Sequence, residues 1–409
     1  MGRFNFIFSR PTYLIKGYLL HPSLLQLIIA IALFMLSIWS KHLKDIYKTT
    51  KNAHIKQRFD IRNAIYFPQS KSMNANTVVI IFNAHRDFIS SGVLLMCHAN
   101  SPNNSTINKA HMRYASWPAL SCKWNTFIAE CKTLPAMKFL GLSAYDIHTS
   151  PQLNEIVELP FMYAITTKFD VVSCISPLFF FERWQMLFTF IEVYRHFGVT
   201  RQSIYISSIL TNIMQILQKY EKYGYIELVP WTMLIKEDRD NEIDPNSEMS
   251  WRNQETAMNE CLFKYKESAS FILFIDIDEI LIPTMNSYLD DFQLLTKNTN
   301  VASFAFQRFY LRTPINIFPA NFSMSKMILH SSLDPLMRGE GKAIVIPSKI
   351  SSMWIHWPPK RSIANGYRHV EINRQINFFF HPRYWNYEEL PKPRKRKVVS
   401  FYFLLMSLM

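Results

Sequence analysis

Glycine is scarce in this chain, 9 residues in 409. That excludes collagen-like and glycine-rich architectures, and no self-similar period of solenoid or propeller length is present. Charge is thin as well, 19% Asp, Glu, Lys and Arg, with no biased tract long enough for a mostly disordered chain. Neither Gly-x-Gly-x-x-Gly nor Gly-x-x-x-x-Gly-Lys-Ser/Thr occurs, which removes the dinucleotide and P-loop routes to phosphate chemistry. There is no Cys-x-x-Cys pair among the 5 cysteines, so a structural zinc is disfavoured. Cys97, Cys122, Cys131, Cys174 and Cys261 permit two disulfides and one thiol. Cys174 and Cys261 sit in apolar runs and read equally well as buried free thiols.

What is abundant is apolar: 49% hydrophobic and 15% aromatic residues, enough for one large domain or two modest ones. The net charge of +14 suggests nucleic acid until it is located. Residues 1–60 carry +7 and residues 391–409 carry +5, leaving +2 on the 330 residues between them. A near-neutral body has no electrostatic footprint for DNA or RNA.

From Gly17 to Ser40 no residue is charged, and Lys16 and Lys41 flank the run. A helix of ~24 residues is ~36 Å long and crosses the hydrocarbon core. The expectation is a retained signal-anchor over 17–40 behind a cytoplasmic tail at 1–16. Lys41, Lys44, Lys48, Lys51, Lys56 and Arg58 would hold the following flank in the cytoplasm by the positive-inside rule. The glycosylation triplets at Asn103, Asn104 and Asn321 argue for the lumen instead.

Residues 41–70 read as a polar stem and 71–165 as a β-rich subdomain of short apolar runs broken by Asn, Pro and Ser. Strand–helix alternation follows over 166–390. The expected strands are 170–176, 203–207, 225–229 and 271–275, and the expected helices 182–197, 209–223 and 251–267. The fold class is therefore α/β, a mainly parallel sheet flanked by helices. The tail 391–409 is basic, then apolar over 12 residues, too short to span.

The run Phe271–Ile275 leads directly into Asp276-Ile-Asp-Glu279, at the strand end where open α/β sheets bind ligands. Two carboxylates with one residue between them repel unless a cation intervenes, and hard oxygen ligands favour Mg²⁺ or Mn²⁺. Such an ion suits a nucleotide diphosphate leaving group.

Several segments together resemble glycosyltransferase family 92, the DUF23 domain. They are Ile175–Gln185, Ile191–Gly198, Trp251–Gln254, Asn259–Leu262, Phe274–Glu279 and Lys342–Pro347, in the family's order over roughly 165–385. The sequence has Asn-Glu-Cys261 where the family has Asn-Asp-Cys, and His381-Pro-Arg-Tyr384 only loosely matches its His-Tyr-Arg ending. The resemblance implies a Golgi type II membrane enzyme with a GT-A fold and its catalytic domain in the lumen. It further implies a UDP-sugar donor, Mn²⁺ (or Mg²⁺), and inverting transfer of galactose to fucose on N-glycans. Carried onto this chain, Asp276 and Asp278 resemble metal and diphosphate ligands, and His356 the late metal-binding histidine. Glu182, Arg183 and Arg252 fall where a nucleotide is expected. A general base is chosen from Glu279, Asp334 and Glu340, with Glu340 favoured in a flexible loop between Gly339 and Gly341. Two other readings remain: a haloacid-dehalogenase-type phosphohydrolase with Asp276 as nucleophile, and a membrane glycan-binding protein without turnover.

Overall fold

β-Branched and aromatic runs separated by polar turns make the first part of the chain all strand, as their composition favours. The computed structural model describes residues 59–386 except 91, 119–120, 147–155, 235–244, 298 and 316–320. The expected anchor at 17–40 and the tail at 391–409 lie outside the described residues. Among those described, no helix is long and apolar enough to cross a membrane.

The strands run β1 (Phe59–Phe67), β2 (Thr77–His85), β3 (Val93–Ser101), β4 (Asn104–Lys109) and β5 (His111–Tyr114). They continue with β6 (Trp124–Lys132), β7 (Phe139–Asp146), β8 (Val157–Glu158) and β9 (Met162–Tyr163), and a short helix α1 (Arg86–Ser90) follows β2. Two sheets result, ordered β5-β6-β2-β1-β9 and β4-β3-β7-β8. A disulfide, Cys97–Cys131, joins β3 of one to β6 of the other.

The pattern then changes to strands separated by helices: β10 (Phe169–Leu178), α2 (Trp184–His196), β11 (Arg201–Ile206), α3 (Thr211–Lys222) and β12 (Ile226–Pro230). Leu187, Ile191 and Tyr194 of α2 are buried, as the helical spacing predicts. Gly198 and Gly224, both at positive φ (91° and 78°), end the helical runs. Next come α4 (Gln254–Lys264), β13 (Ala269–Ile275), β14 (Ile280–Leu281) and α5 (Tyr288–Thr296). The chain closes with β15 (Val301–Pro314), α6 (Met324–Leu329), β16 (Ser332–Val345), β17 (Arg368–Ile372) and β18 (Phe379–Asn386).

The main sheet is mainly parallel but carries antiparallel pairs, and its second half repeats parallel pairing where β15 meets β17 and β18. Strands β12-β11-β10-β13 are parallel neighbours, whereas β16 runs antiparallel between β13 and β15. The long β15 and β16 pair directly with each other and need no crossover helix between them. Both faces of β13 are covered: Phe271, Leu273 and Ile275 pack with α2 and α5, while Ile272 and Phe274 pack with α4. A strand buried on two sides reads as a continuous apolar run, the signal seen in the sequence.

Helix α4 is buried along its whole length from Glu255 to Lys264. The first sheet covers it through Phe263, which packs with Ile65, Phe67, Val79 and Ile128. Apart from Glu255, one of whose carboxyl oxygens has no hydrogen-bond partner, its polar side chains are paired rather than solvated, as burial requires. Thr256 meets Thr126 and Asn83 at 2.7 and 2.6 Å, and Glu260 accepts from Asn63 at 2.6 Å and from Tyr205. Lys264 pairs with Glu227 at 2.5 Å. The disulfide Cys174–Cys261 ties α4 to β10 across 87 residues of sequence, so these two cysteines are bonded rather than free.

Two predictions follow from this burial. The Cys174→Ser/Cys261→Ser double variant is expected to lose about 2–5 kcal/mol in guanidinium unfolding; an unchanged midpoint would show that packing alone holds α4. Burial pushes Glu255 up to about 8 despite a hydrogen bond from Ser116 and the nearby Arg361 charge. The native carboxyl thus keeps a proton that the unfolded chain releases near its ordinary value, and stability falls as pH rises between about 5 and 8. Glu255→Gln should flatten that decline in urea titrations at the two pH values.

Candidate active site

Strand β13 delivers Asp276 to the sheet edge, and the chain turns at once. Glu279 N–H donates to Asp276 O and Asp276 N–H to the Glu279 carboxylate, each at 3.0 Å. Tyr194 of α2 pins the turn, donating to Glu279 O at 2.9 Å and accepting from Leu281 N–H at 3.1 Å. Glu279 is fully buried and held by Arg308 of β15 at 2.9 Å. Burial, with Asp276 beside it, pushes its carboxyl up to about 7. Glu279 therefore closes the turn and is shut off from solvent.

The two aspartates have different partners. Asp276 accepts from Ser176 (2.5 Å) and Gln254 (2.6 Å) and faces the buried Lys342 ammonium at 3.1 Å. Burial raises its carboxyl, but Lys342, Ser176 and the His356 ring together outweigh burial and hold it below the usual carboxylate range. Asp278 lies 2.9 Å from Nε2 of His381 on β18. His381 is buried, and neither ring nitrogen has a hydrogen-bond partner among the described residues. The partner of Asp278 is thus His381, from the loosely matching His381-Pro-Arg-Tyr384 segment.

His356 lies on the Asp276 side. Its Nδ1–H donates to Gly341 O at 2.7 Å, which leaves Nε2 as an acceptor 3.7 Å from Glu340. Burial and the Lys342 charge push this imidazole down to about 4, so it is neutral at pH 7. Glu340, its carboxylate 61% exposed, is not in a flexible loop. It sits in β16 at a bulge: Phe306 pairs with Lys342 and Arg308 with Gly339, so Glu340 and Gly341 oppose Gln307 alone. The third base candidate, Asp334, pairs with Arg312 at 3.6 Å.

The helix expected over 251–267 starts only at Gln254. Trp251, Arg252 and Asn253 take left-handed φ values of 51°, 52° and 66°, a conformation that disfavours L-residues by about 1–2 kcal/mol each. Surrounding bonds hold the turn: Arg252 N–H donates to Met249 O at 3.2 Å, and buried Asn253 accepts from Asn83 at 3.0 Å. Gln254 then reaches Asp276. Arg252 and Asn253 line a cleft of about 510 Å³ with Phe179, Phe180 and Trp231, beyond the ends of β10 and β12. Glu182 and Arg183 are exposed at the start of α2, two and three residues past Phe180. A cavity of about 570 Å³ lined by Lys71, Lys349 and Arg361 lies elsewhere, where β13 begins and β16 ends.

Sequence reasoning missed Ser176, Gln254 and Lys342 as partners of Asp276, although each stands inside a segment already singled out. Arg308 carried no signal at all. Gly341 shows how tightly this edge is built: a Cβ there would lie 1.3 Å from Phe306 O. Gly341→Ala is expected to separate β15 from β16 and lower the thermal midpoint sharply. Gly366→Ala, with φ +81° and nothing within 4 Å of the added Cβ, should cost only about 1–2 kcal/mol; equal losses would contradict the close approach.

Residues 169–401 match the profile of glycosyltransferase family 92. Three Caenorhabditis elegans relatives bear the name Glycosyltransferase family 92 protein. F13G3.3 is 31% identical over 73% of this chain and 58% of its own length. F59C6.8 is 28% identical over 83% and 64%, and C33H5.2 is 25% identical over 77% and 61%. The chain thus spans about three fifths of the length of these relatives. A solved structure, S. aureus TarS 1-349, aligns with 53% of this chain and 60% of its own at 13% identity. Its TM-score of 0.26 is too low to inform fold or site. The matched region holds more than half of the residues, with the paired aspartates at its centre, and the chain belongs to glycosyltransferase family 92.

Proposed function

We propose that the protein moves a sugar from a nucleotide donor to a glycan, with inversion at the anomeric carbon. The donor inferred from the family resemblance is UDP-galactose, and the acceptor a fucose of an N-glycan. One observation carries the reading: Asp276 and Asp278 follow a buried strand, and Gln254, which bonds Asp276, directly follows Arg252 and Asn253 in the wall of an aromatic-lined cleft. The nucleoside enters that cleft against Phe179, Phe180 and Trp231. Arg252 and the exposed Arg183 face the diphosphate, and Glu182 stands at the rim.

Mn²⁺ or Mg²⁺ fits the donor set at Asp278. A carboxylate and a neutral imidazole are acceptable to Mn²⁺, and His381 has buried ring nitrogens without hydrogen bonds. Among the described residues no three His, Cys, Asp or Glu side chains form a complete site, so Asp278 and His381 would hold the ion together with groups from outside the chain. Asp276 would border it, its charge balanced by Lys342, and His356, with Nδ1 held by Gly341 O, lies on the Asp276 side. When bound, the ion neutralises charge on the departing diphosphate. The acceptor hydroxyl oxygen attacks the anomeric carbon as the bond from that carbon to the diphosphate breaks. Glu340, open to solvent beside His356, takes the hydroxyl proton.

The two disulfides and the exposed Asn103, Asn104 and Asn321 support a lumenal location in an oxidising compartment. A Golgi membrane protein anchored through 17–40 is the inferred setting.

A screen of UDP-sugars with and without Mn²⁺ tests the reading. Asp278→Asn and His381→Ala should each lower metal-dependent turnover by about 100-fold, with the thermal midpoint retained. Full activity in either variant, or wild-type turnover indifferent to the metal, would overturn the ion assignment.

A further inference from the structure

We propose that Trp117, Trp251, Trp354 and Trp357 form a carbohydrate platform that seats the acceptor glycan beside Asp276. The proposal rests on the glycosyltransferase reading and adds where the acceptor lies.

Trp354 is the hub. Trp117 meets it edge-on at 5.5 Å, Trp251 at 6.2 Å and Trp357 at 4.9 Å, with interplanar angles of 83°, 73° and 66°. Trp354 and Trp357 pack partly against the core, while Trp117 and Trp251 are each 54% exposed and flank Trp354 edge-on. A folded chain gains nothing from large indoles left in water, so a contiguous exposed aromatic patch marks a binding surface.

Trp251 is also the first residue of the left-handed run. A strained turn that carries its aromatic side chain outward rather than into a core has no packing reward to offset it, and such strain persists where function needs it. The patch adjoins the chemistry through short links. Gln254, three residues beyond Trp251, bonds Asp276 at 2.6 Å. Lys342 bonds both Asp276 and the carbonyl of Ile355, the residue after Trp354. Asn259 clamps Met353 through both backbone groups, at 2.8 and 2.9 Å, and so sets the position of Trp354. The Trp354 and His356 rings are 5.1 Å apart, and Glu340 lies 3.7 Å from His356 Nε2.

A sugar ring suits this surface better than an apolar peptide does. Its C–H face lies flat on indole while its hydroxyls reach outward, and the exposed Glu340, 3.7 Å from His356 Nε2, offers a partner for hydroxyls. The donor cleft opens past β10 and β12. Trp354 reaches the Asp276 side through Lys342, which bonds both Ile355 O and Asp276, so Asp276 lies between the tryptophans and that cleft. Trp117 comes from the link between β5 and β6, outside the 169–401 match, so the strand-rich region shares in choosing the glycan.

The test uses the full chain on an array of N-glycan and other oligosaccharides, with UDP binding measured in parallel. The wild type should bind at least one glycan. Trp251→Ala and Trp117→Ala should each weaken that binding about tenfold or more, with Trp251→Phe recovering part of it. Thermal midpoints should match the wild type, and the Kd for UDP with Mn²⁺ should stay within about twofold. In turnover the loss should appear in the acceptor KM more than in kcat. Unchanged glycan binding in both alanine variants, or no glycan bound by the wild type, overturns the platform. A wild type that binds glycan through these tryptophans but neither binds UDP nor turns over a UDP-sugar would instead overturn the transferase reading.

Discussion

Helix α4 has water on no side, and the rest of the molecule is arranged around that fact. Its residues Glu255 to Lys264 include two glutamates, an asparagine, a threonine and a lysine, all buried. Each needs a fixed partner, because an unpaired polar group in a dry interior is expensive. The partners come from both halves of the chain: Asn63, Asn83 and Thr126 from the first sheet, Tyr205 and Glu227 from the second. Apolar packing alone would let the helix slide or rotate. This set of hydrogen bonds and the Cys174–Cys261 link give it one position.

That single position has a consequence at each end of the site. At the N-terminus Gln254 bonds Asp276 directly, and the left-handed turn before it puts Arg252 in one cleft and Trp251 on another surface. In the middle Asn259 grips Met353 and places the segment Trp354–His356. The motifs at 251–254, 259–262, 274–279 and 342–347 are far apart in sequence and converge because α4 touches or braces all of them.

The environment also divides two neighbouring aspartates. Asp276 has an ammonium, a hydroxyl and an amide on it, and its charge is neutralised within the protein. Asp278 faces a buried imidazole that lacks hydrogen-bond partners. With identical chemistry and one residue between them, one is tied to Lys342, Ser176 and Gln254 and the other to His381. A D-x-D pattern cannot reveal this division, since it depends on what β16 and β18 bring from 66 and 103 residues away.

Much of the architecture was legible because local physics sets it. The continuous apolar run of β13, the 3.6-residue spacing of α2 and the glycines ending α2 and α3 each act within a few residues, and the elements formed where those signals lie. Most pairs of the sheet are parallel, but the antiparallel β16 between β13 and β15 was not legible, since its pairing needs no sequence signal beyond two long strands. Glu340 read as part of a loop because two glycines flank it; the bulge opposite Gln307 and the carbonyl of Phe306 explain those glycines instead. By itself the sequence determined the β-rich start, most strands and helices between 170 and 275, the aspartate pair at a strand end and the family resemblance. Strand β1 read as stem, and the strands after 279 were not assigned. Only the tertiary structure decided that Lys342 balances Asp276, that His381 meets Asp278, and that four tryptophans from distant segments share one surface. Periodicity and turn chemistry act over neighbouring residues, whereas ion pairs and ring contacts are made wherever packing brings side chains together.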